Sequence, residues 1–311
     1  MATISNILVI VDPTAQEHPA VEKAARIAEK YRSRLELYVC DTKQAHALRY
    51  AAHLQQGSGD FISHVRALLE DIAQPLRTRG IDTCIEVERG DPLHTMLLAR
   101  TRRTSADLVV KETHHHSLAK RTFITNTDWH LIRGCPVPLL LTKSRPWSAA
   151  PVLAAALDPG HVNDKPALLD NRILDWSRSL RDQLGGTLHA IHAFLPLILT
   201  AEGAGGILPM MSSITPQVIE TERVQSVAQL ESLVAPYAID SKHVHVRLGV
   251  ASDVLPRFAE EIGADVMVMG AISRSGLQRI FIGSTAERVL ESLPGDVLVI
   301  KPPDFAADLP F

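Results

Sequence analysis

The chain has 311 residues, of which 46% are hydrophobic and 22% charged, and its formal net charge is −3. That length holds two domains of ordinary size, each able to bury its own core. The lack of a basic surplus argues against a general nucleic-acid binder.

No basic segment followed by a long apolar one opens the chain, and no apolar run approaches bilayer length; the expected location is the cytoplasm, without membrane association. The first predicted strand, 7–11, ends at Asp12-Pro13. A helical stripe of Val21, Ala24, Ala25 and Ala28 leads to a strand at 35–40. A second stripe, Val65, Leu68, Leu69 and Ile72, leads to strands at 83–87, 108–110 and 137–141. Cys40, Cys84 and Cys135 are scattered along this half and form no CxxC pair, so they read as buried reduced thiols rather than a disulfide framework or zinc site. The charged, proline-containing stretch 143–150 reads as a linker. Strands follow at 152–157, 188–193, 244–248, 266–269 and 297–300, with a helical stripe of Val224, Val227, Leu230, Leu233 and Val234 before the third.

The second half repeats the first. Asp158-Pro159 answers Asp12-Pro13 at an offset of 146, whereas Asp265 answers Asp107, and Lys301 answers Lys143, at an offset of 158. The second copy has therefore gained about a dozen residues, expected near 200–216. Strands alternating with helices imply crossovers and a parallel sheet covered on both faces. The expected fold is α/β, two tandem doubly wound five-stranded parallel sheets, in domains 1–147 and 148–311. In such sheets a ligand crevice opens at the carboxyl ends of the strands, where strand order reverses.

After the fourth strand of the second copy comes a loop with Gly270, Ser273, Arg274, Gly276 and Arg279, ending in Gly283-Ser284-Thr285. Glycines let backbone approach a phosphate. Free N–H groups at the start of the following helix attract an anion. Ser284-x-x-Glu287 is equally a capping box, which needs no ligand.

The frame Gly270, Ser273, nine residues, Gly283-Ser284 is similar to the pattern G-x2-G-x9-G-[ST] of ATP-binding members of the universal stress protein family. Gly276, the run from Gly283 to Glu291 and Asp296 to Pro303, and in the first copy Thr127 to Pro136, strengthen the resemblance. It covers essentially the whole chain and points to the tandem, UspE-type subgroup. It implies a five-stranded sheet per domain, a nucleotide crevice, and pairing of the two domains through their fifth strands, with a further homodimer allowed. It also implies that Asp158 ends the first strand of the site, that Ala193 lines the adenine pocket, and that Met269 and Gly270 flank the base or ribose. Ser273, Gly276, Gly283, Ser284 and Thr285 would face the phosphates of ATP with Mg2+. Ser273 departs from the family: its Cβ narrows the loop and restricts φ, while its hydroxyl offers a donor. In the first copy the corresponding residues are Lys111, Glu112, His115, Thr125 and Asn126. Every loop glycine is gone and Glu112 would repel phosphate, so that copy is expected not to bind ATP.

Other constellations read more simply. His114-His115-His116 reads as a solvated loop rather than a metal site. Trp129 and His130 read as packing residues. The segment 203–211 is glycine-rich and apolar, either a lid or apolar ligand contact between the copies, or a surface insertion. No GxSxG, Walker A or HExxH motif is present. The expected function is a non-enzymatic stress-response protein whose second domain binds ATP or a related nucleotide. A slow ATPase or nucleotidyl transferase, and a binder of an apolar or nucleotide-sugar metabolite, stay open as alternatives.

Overall fold

The computed structural model describes residues 3–41, 61–113, 124–160, 168–196, 216–271, 284–302 and 305. One compact unit comprises Ala2–Trp147 together with Asp296–Phe311; the other comprises Ser148–Gly295. The last strand of the second repeat thus belongs to the unit built by the first.

The first repeat runs β1 (Asn6–Ile10), α1 (Pro19–Tyr31), β2 (Arg34–Asp41), α2 (Phe61–Thr78), β3 (Thr83–Arg89), α3 (Leu93–Arg103), β4 (Leu108–Glu112), α4 (Asn126–Gly134) and β5 (Leu139–Thr142). The second runs β6 (Val152–Ala156), α5 (Leu169–Leu184), β7 (Thr187–Phe194), α6 (Pro216–Val234), β8 (Val244–Leu248), α7 (Ala251–Glu261), β9 (Val266–Gly270), α8 (Ser284–Ser292) and β10 (Asp296–Ile300).

The central strands β1 and β4 are short apolar runs because helices cover both of their faces. Ile7, Leu8, Val9 and Ile10 are all buried, as are Leu108, Val109 and Val110. α1 begins with Pro19 in its first turn, where a missing N–H costs nothing. Its buried face is built largely of Ala20, Val21, Ala24, Ala25 and Ala28, so the helix can lie close to the sheet. It ends at Arg32, whose left-handed backbone (φ 57) returns an N–H to the Ala28 carbonyl. Gly185 closes α5 in the same way at φ 70, without the Cβ penalty.

In the first unit the strand order is β3-β2-β1-β4-β5-β10. The pairings from β3 to β5 are parallel. β10 joins β5 antiparallel, with Val297 opposite Leu141, Leu298 opposite Leu140 and Val299 opposite Leu139. The second unit carries the parallel order β9-β6-β7-β8. Right-handed crossovers place α1 and α2 on one face of the first sheet and α3 and α4 on the other.

One expectation is corrected. The extra residues of the second repeat are not all near 200–216. Val152 against Asn6 gives an offset of 146, Thr187 against Arg34 gives 153, and Ala251 against Leu93 gives 158. Seven residues thus enter between β6 and β7 and five between β7 and α7. From α3 onward the offset stays at 158: β9, α8 and their counterparts β4 and α4 begin and end in step. The sequence match alone compared strand ends far apart and could not see the intermediate step.

Candidate functional site

The second unit reverses its strand order at β6, which lies between β9 and β7. The chain leaves β6 toward β7 and returns on the other side for β9, so the connections diverge at the carboxyl ends of these two strands. Met267 pairs with Ala154 and Val268 with Ala155. Continuing that register puts Gly270 level with Leu157, just before Asp158. On the other side Ala156 pairs with Ile191, which puts Ala193 level with Asp158. The structure therefore brings Asp158, Ala193, Met269 and Gly270 to the same end of three adjacent strands.

Asp158 is anchored by its backbone. Its N–H donates to both carboxylate oxygens of Asp170, at 3.4 Å each, in the first turn of α5. The Asp158 side chain is 39% exposed. Leu157 extends the β6 ladder, donating its N–H to Ile191 at 2.9 Å. His192, buried on β7, has Nδ1 3.0 Å from the Leu157 carbonyl. A carbonyl only accepts, so Nδ1 carries the proton. The same nitrogen lies 3.8 Å from Asp158 Oδ1. Neither His192 nor Asp170 was singled out from the sequence. The signal was present for the first: the offset of 153 aligns His192 with Val39, a polar ring in an apolar strand.

Ala193 is half-buried and Met269 is buried. Packing crowds Gly270: a Cβ there would stand 2.7 Å from Leu169 Cδ2 and 3.4 Å from Ile173 Cδ1, so Leu169 would have to shift. Crowding by helix α5 thus gives this glycine a packing reason, so it is not by itself a sign of phosphate. Ser273, Gly276 and Gly283 lie outside the described residues, as does the segment 203–211. Ser284 and Thr285 open α8.

The equivalent end of the first repeat is filled by the protein's own charges. Lys111, aligned with Met269, sets Nζ 2.8 Å from Asp128 Oδ1. Asp128 is fully buried and caps α4: its Oδ2 accepts from the N–H and hydroxyl of Thr125, both at 2.8 Å. Glu112, aligned with Gly270, is pushed up to about 6 by burial and then by the charge of Asp12, with Lys23 and Lys111 opposing. Asp12 itself accepts from the Thr14 N–H at 2.8 Å and hydroxyl at 2.6 Å, the turn-forming role of an aspartate at a strand end.

His114, His115 and His116 lie outside the described residues. His130 is exposed and stacks on His94, ring centroids 3.8 Å apart; Trp129 is half-buried. Cys135 is buried and its thiol is pushed up to about 11 by burial, whereas Cys40 and Cys84 are only half-buried, which corrects the expectation for those two. Among the described residues no group of three or more His, Cys, Asp or Glu is arranged to hold a metal, and no helix is long and apolar enough to cross a membrane.

Residues 3–143 and 168–301 both match the model of the universal stress protein family. The chain belongs to the universal stress protein family. Its two matched regions make it a tandem member, and membership places it among stress-response proteins. It is 28% identical to universal stress protein E of Salmonella typhi over 98% of this chain and 96% of that protein. It is 26% identical to universal stress protein E of Escherichia coli K12 over the same shares. Among solved structures, a functionally unknown protein of Pseudomonas aeruginosa PAO1 is 29% identical, with a TM-score of 0.76 over 97% of this chain and 94% of that one. A universal stress protein of Archaeoglobus fulgidus DSM 4304 shares the fold, at 16% identity and a TM-score of 0.66 over 95% of this chain and 98% of that one.

Proposed function

We propose that the second repeat binds an adenine nucleotide, ATP with Mg2+, at the carboxyl ends of β6, β7 and β9, and that the first repeat does not. The chain would then act in the stress response as a nucleotide-responsive binding protein working through its partners in the cytoplasm, without turnover of its own. The observation that carries this reading is the asymmetry of the two equivalent strand ends. In the first, Lys111, Asp128 and Glu112 put an ion pair and a half-buried carboxyl where a phosphate chain would lie. In the second, Met269 stands in place of Lys111, Gly270 in place of Glu112 and Ala286 in place of Asp128, and α8 offers its amino end to an anion. Asp158, Ala193, Met269 and Gly270 would hold the base and ribose. Ser273, Gly276, Gly283, Ser284 and Thr285 would hold the phosphates.

Calorimetric titration of ligand-stripped protein with ATP and magnesium tests the reading. One site per chain is expected, lost in Gly283→Val and retained in Lys111→Met/Asp128→Ala. Absence of binding by the unaltered protein, or binding that survives Gly283→Val, overturns it. Steady ATP hydrolysis abolished by Asp158→Ala would instead favour an enzyme.

A further inference from the structure

β10 meets β5 through three apolar pairs. Leu298 and Leu140, the middle pair, are separated by 158 residues, the offset between the repeats, so they are equivalent positions. The flanking pairs, Val297 with Leu141 and Val299 with Leu139, exchange under the same equivalence. A ladder of this register would also form between two copies of β5 from different chains, with Leu140 opposite itself. Apolar burial therefore does not choose the partner strand.

The choice lies one residue outside the ladder. Asp296, at the start of β10, is buried. Its Oδ1 accepts from the Lys143 N–H at 2.8 Å and from Lys23 Nζ at 2.9 Å. Its Oδ2 accepts from Trp147 Nε1 at 2.7 Å and lies 2.8 Å from Lys23 Nζ. Lys23, also buried, donates in addition to the Lys143 carbonyl at 2.7 Å. The first-repeat counterpart of Asp296 is Pro138, which has neither carboxylate nor N–H. The counterpart of Lys23, counted from the left-handed residues Arg32 and Gly185 that end α1 and α5, is Trp176, which carries no charge.

We infer that the Lys23–Asp296–Trp147 cluster is a recognition key that makes the β5 edge accept β10 and reject β5 of a second copy of this chain. Self-pairing of β5 would leave the Lys23 ammonium buried against Pro138 with the Lys143 carbonyl but no counter-charge, and would take from the Trp147 N–H its carboxylate acceptor. An uncompensated buried charge is strongly unfavourable. The key thus acts against strand exchange between chains, a hazard for any protein built of two similar halves. The inference is independent of nucleotide binding.

The test uses the full chain with Cys40, Cys84 and Cys135 replaced by alanine and Leu140→Cys as the reporter thiol, refolded at high concentration and oxidised. Self-pairing of β5 places the two introduced thiols opposite each other, within reach of a disulfide, and yields a covalent dimer. In the reporter with an intact key, the covalent dimer is expected to be scarce. Adding Lys23→Met/Asp296→Asn, which nearly keeps the volume and removes both charges, is expected to raise the dimer at least about tenfold. Adding Asp296→Asn alone, which keeps an acceptor but leaves Lys23 without a counter-charge, changes the strand least and guards against misfolding of the double variant. It is expected to raise the dimer less. Circular dichroism checks that each variant is folded. No increase in a folded variant, or a dimer already abundant with the key intact, overturns the inference.

Discussion

His189 shows how a neutral ring can be used structurally. It sits on β7 with its Nδ1 3.1 Å from His245 Nε2. Its ring centroid is 4.3 Å from that of His243, and Phe258 of α7 closes over both His189 and His245. Burial, then the charges that His243 and His245 would carry, push His189 down to about 4. His245 is lowered too, by burial and Arg247, with Glu261 opposing. The unfolded state then binds more protons than the folded one between about pH 6.5 and 4. Stability from this ring is full above the unfolded value and is lost as pH falls through the folded value. His189→Gln should remove that slope, of order 1 kcal/mol after solvent screening, in urea unfolding measured across this window. An unchanged slope would assign it to other groups.

At the scale of an element, α4 and α8 are equivalent helices of the two repeats. Both follow the fourth strand of a repeat and occupy equivalent positions. α4 is tied to β4 by the Lys111–Asp128 pair, and Asp128 also completes a capping box with Thr125. Lys111→Met should cost about 3 kcal/mol, because Asp128 is left buried without its counter-charge. Lys111→Met/Asp128→Ala installs the residues of the second repeat and should recover most of that loss, as measured by urea denaturation. If the double variant is no better than the single, the ion pair is not what holds the helix. Much of this layer was legible in the sequence. The strands at 244–248 and 266–269 follow from short apolar runs between helical stripes, and the Ser284-x-x-Glu287 signature finds the start of α8 to within one residue, Ser284 being its first helical residue and not its cap. The ion pair was not legible: Lys111 and Asp128 are 17 residues apart across a loop, and no local pattern says that they meet. His192 escaped for a related reason, because its partner is a main-chain carbonyl on another strand.

Across the whole molecule, ligand binding to one unit should appear as selective stabilisation. Under the nucleotide reading, ATP at 100 times its Kd stabilises the unit that binds it by about 2.7 kcal/mol. Differential scanning calorimetry should then show a transition raised by several degrees, and Gly283→Val should abolish the rise. A rise that persists in Gly283→Val would place the ligand elsewhere.

The sequence by itself determined the repeat, the alternation of strand and helix, and the end of the sheet at which a ligand would lie. These are local or periodic properties, set by which side chains must leave water and by where glycine, proline and caps interrupt the pattern. Only the tertiary structure decided which unit takes β10, why Gly270 has no side chain, and what fills the first crevice. Those outcomes rest on contacts between distant residues: Lys23 meets Asp296 across 273 positions, and Leu169 crowds Gly270 from another element. Periodicity records that a residue is buried. It does not record against what, and that partner distinguishes the two halves of this chain.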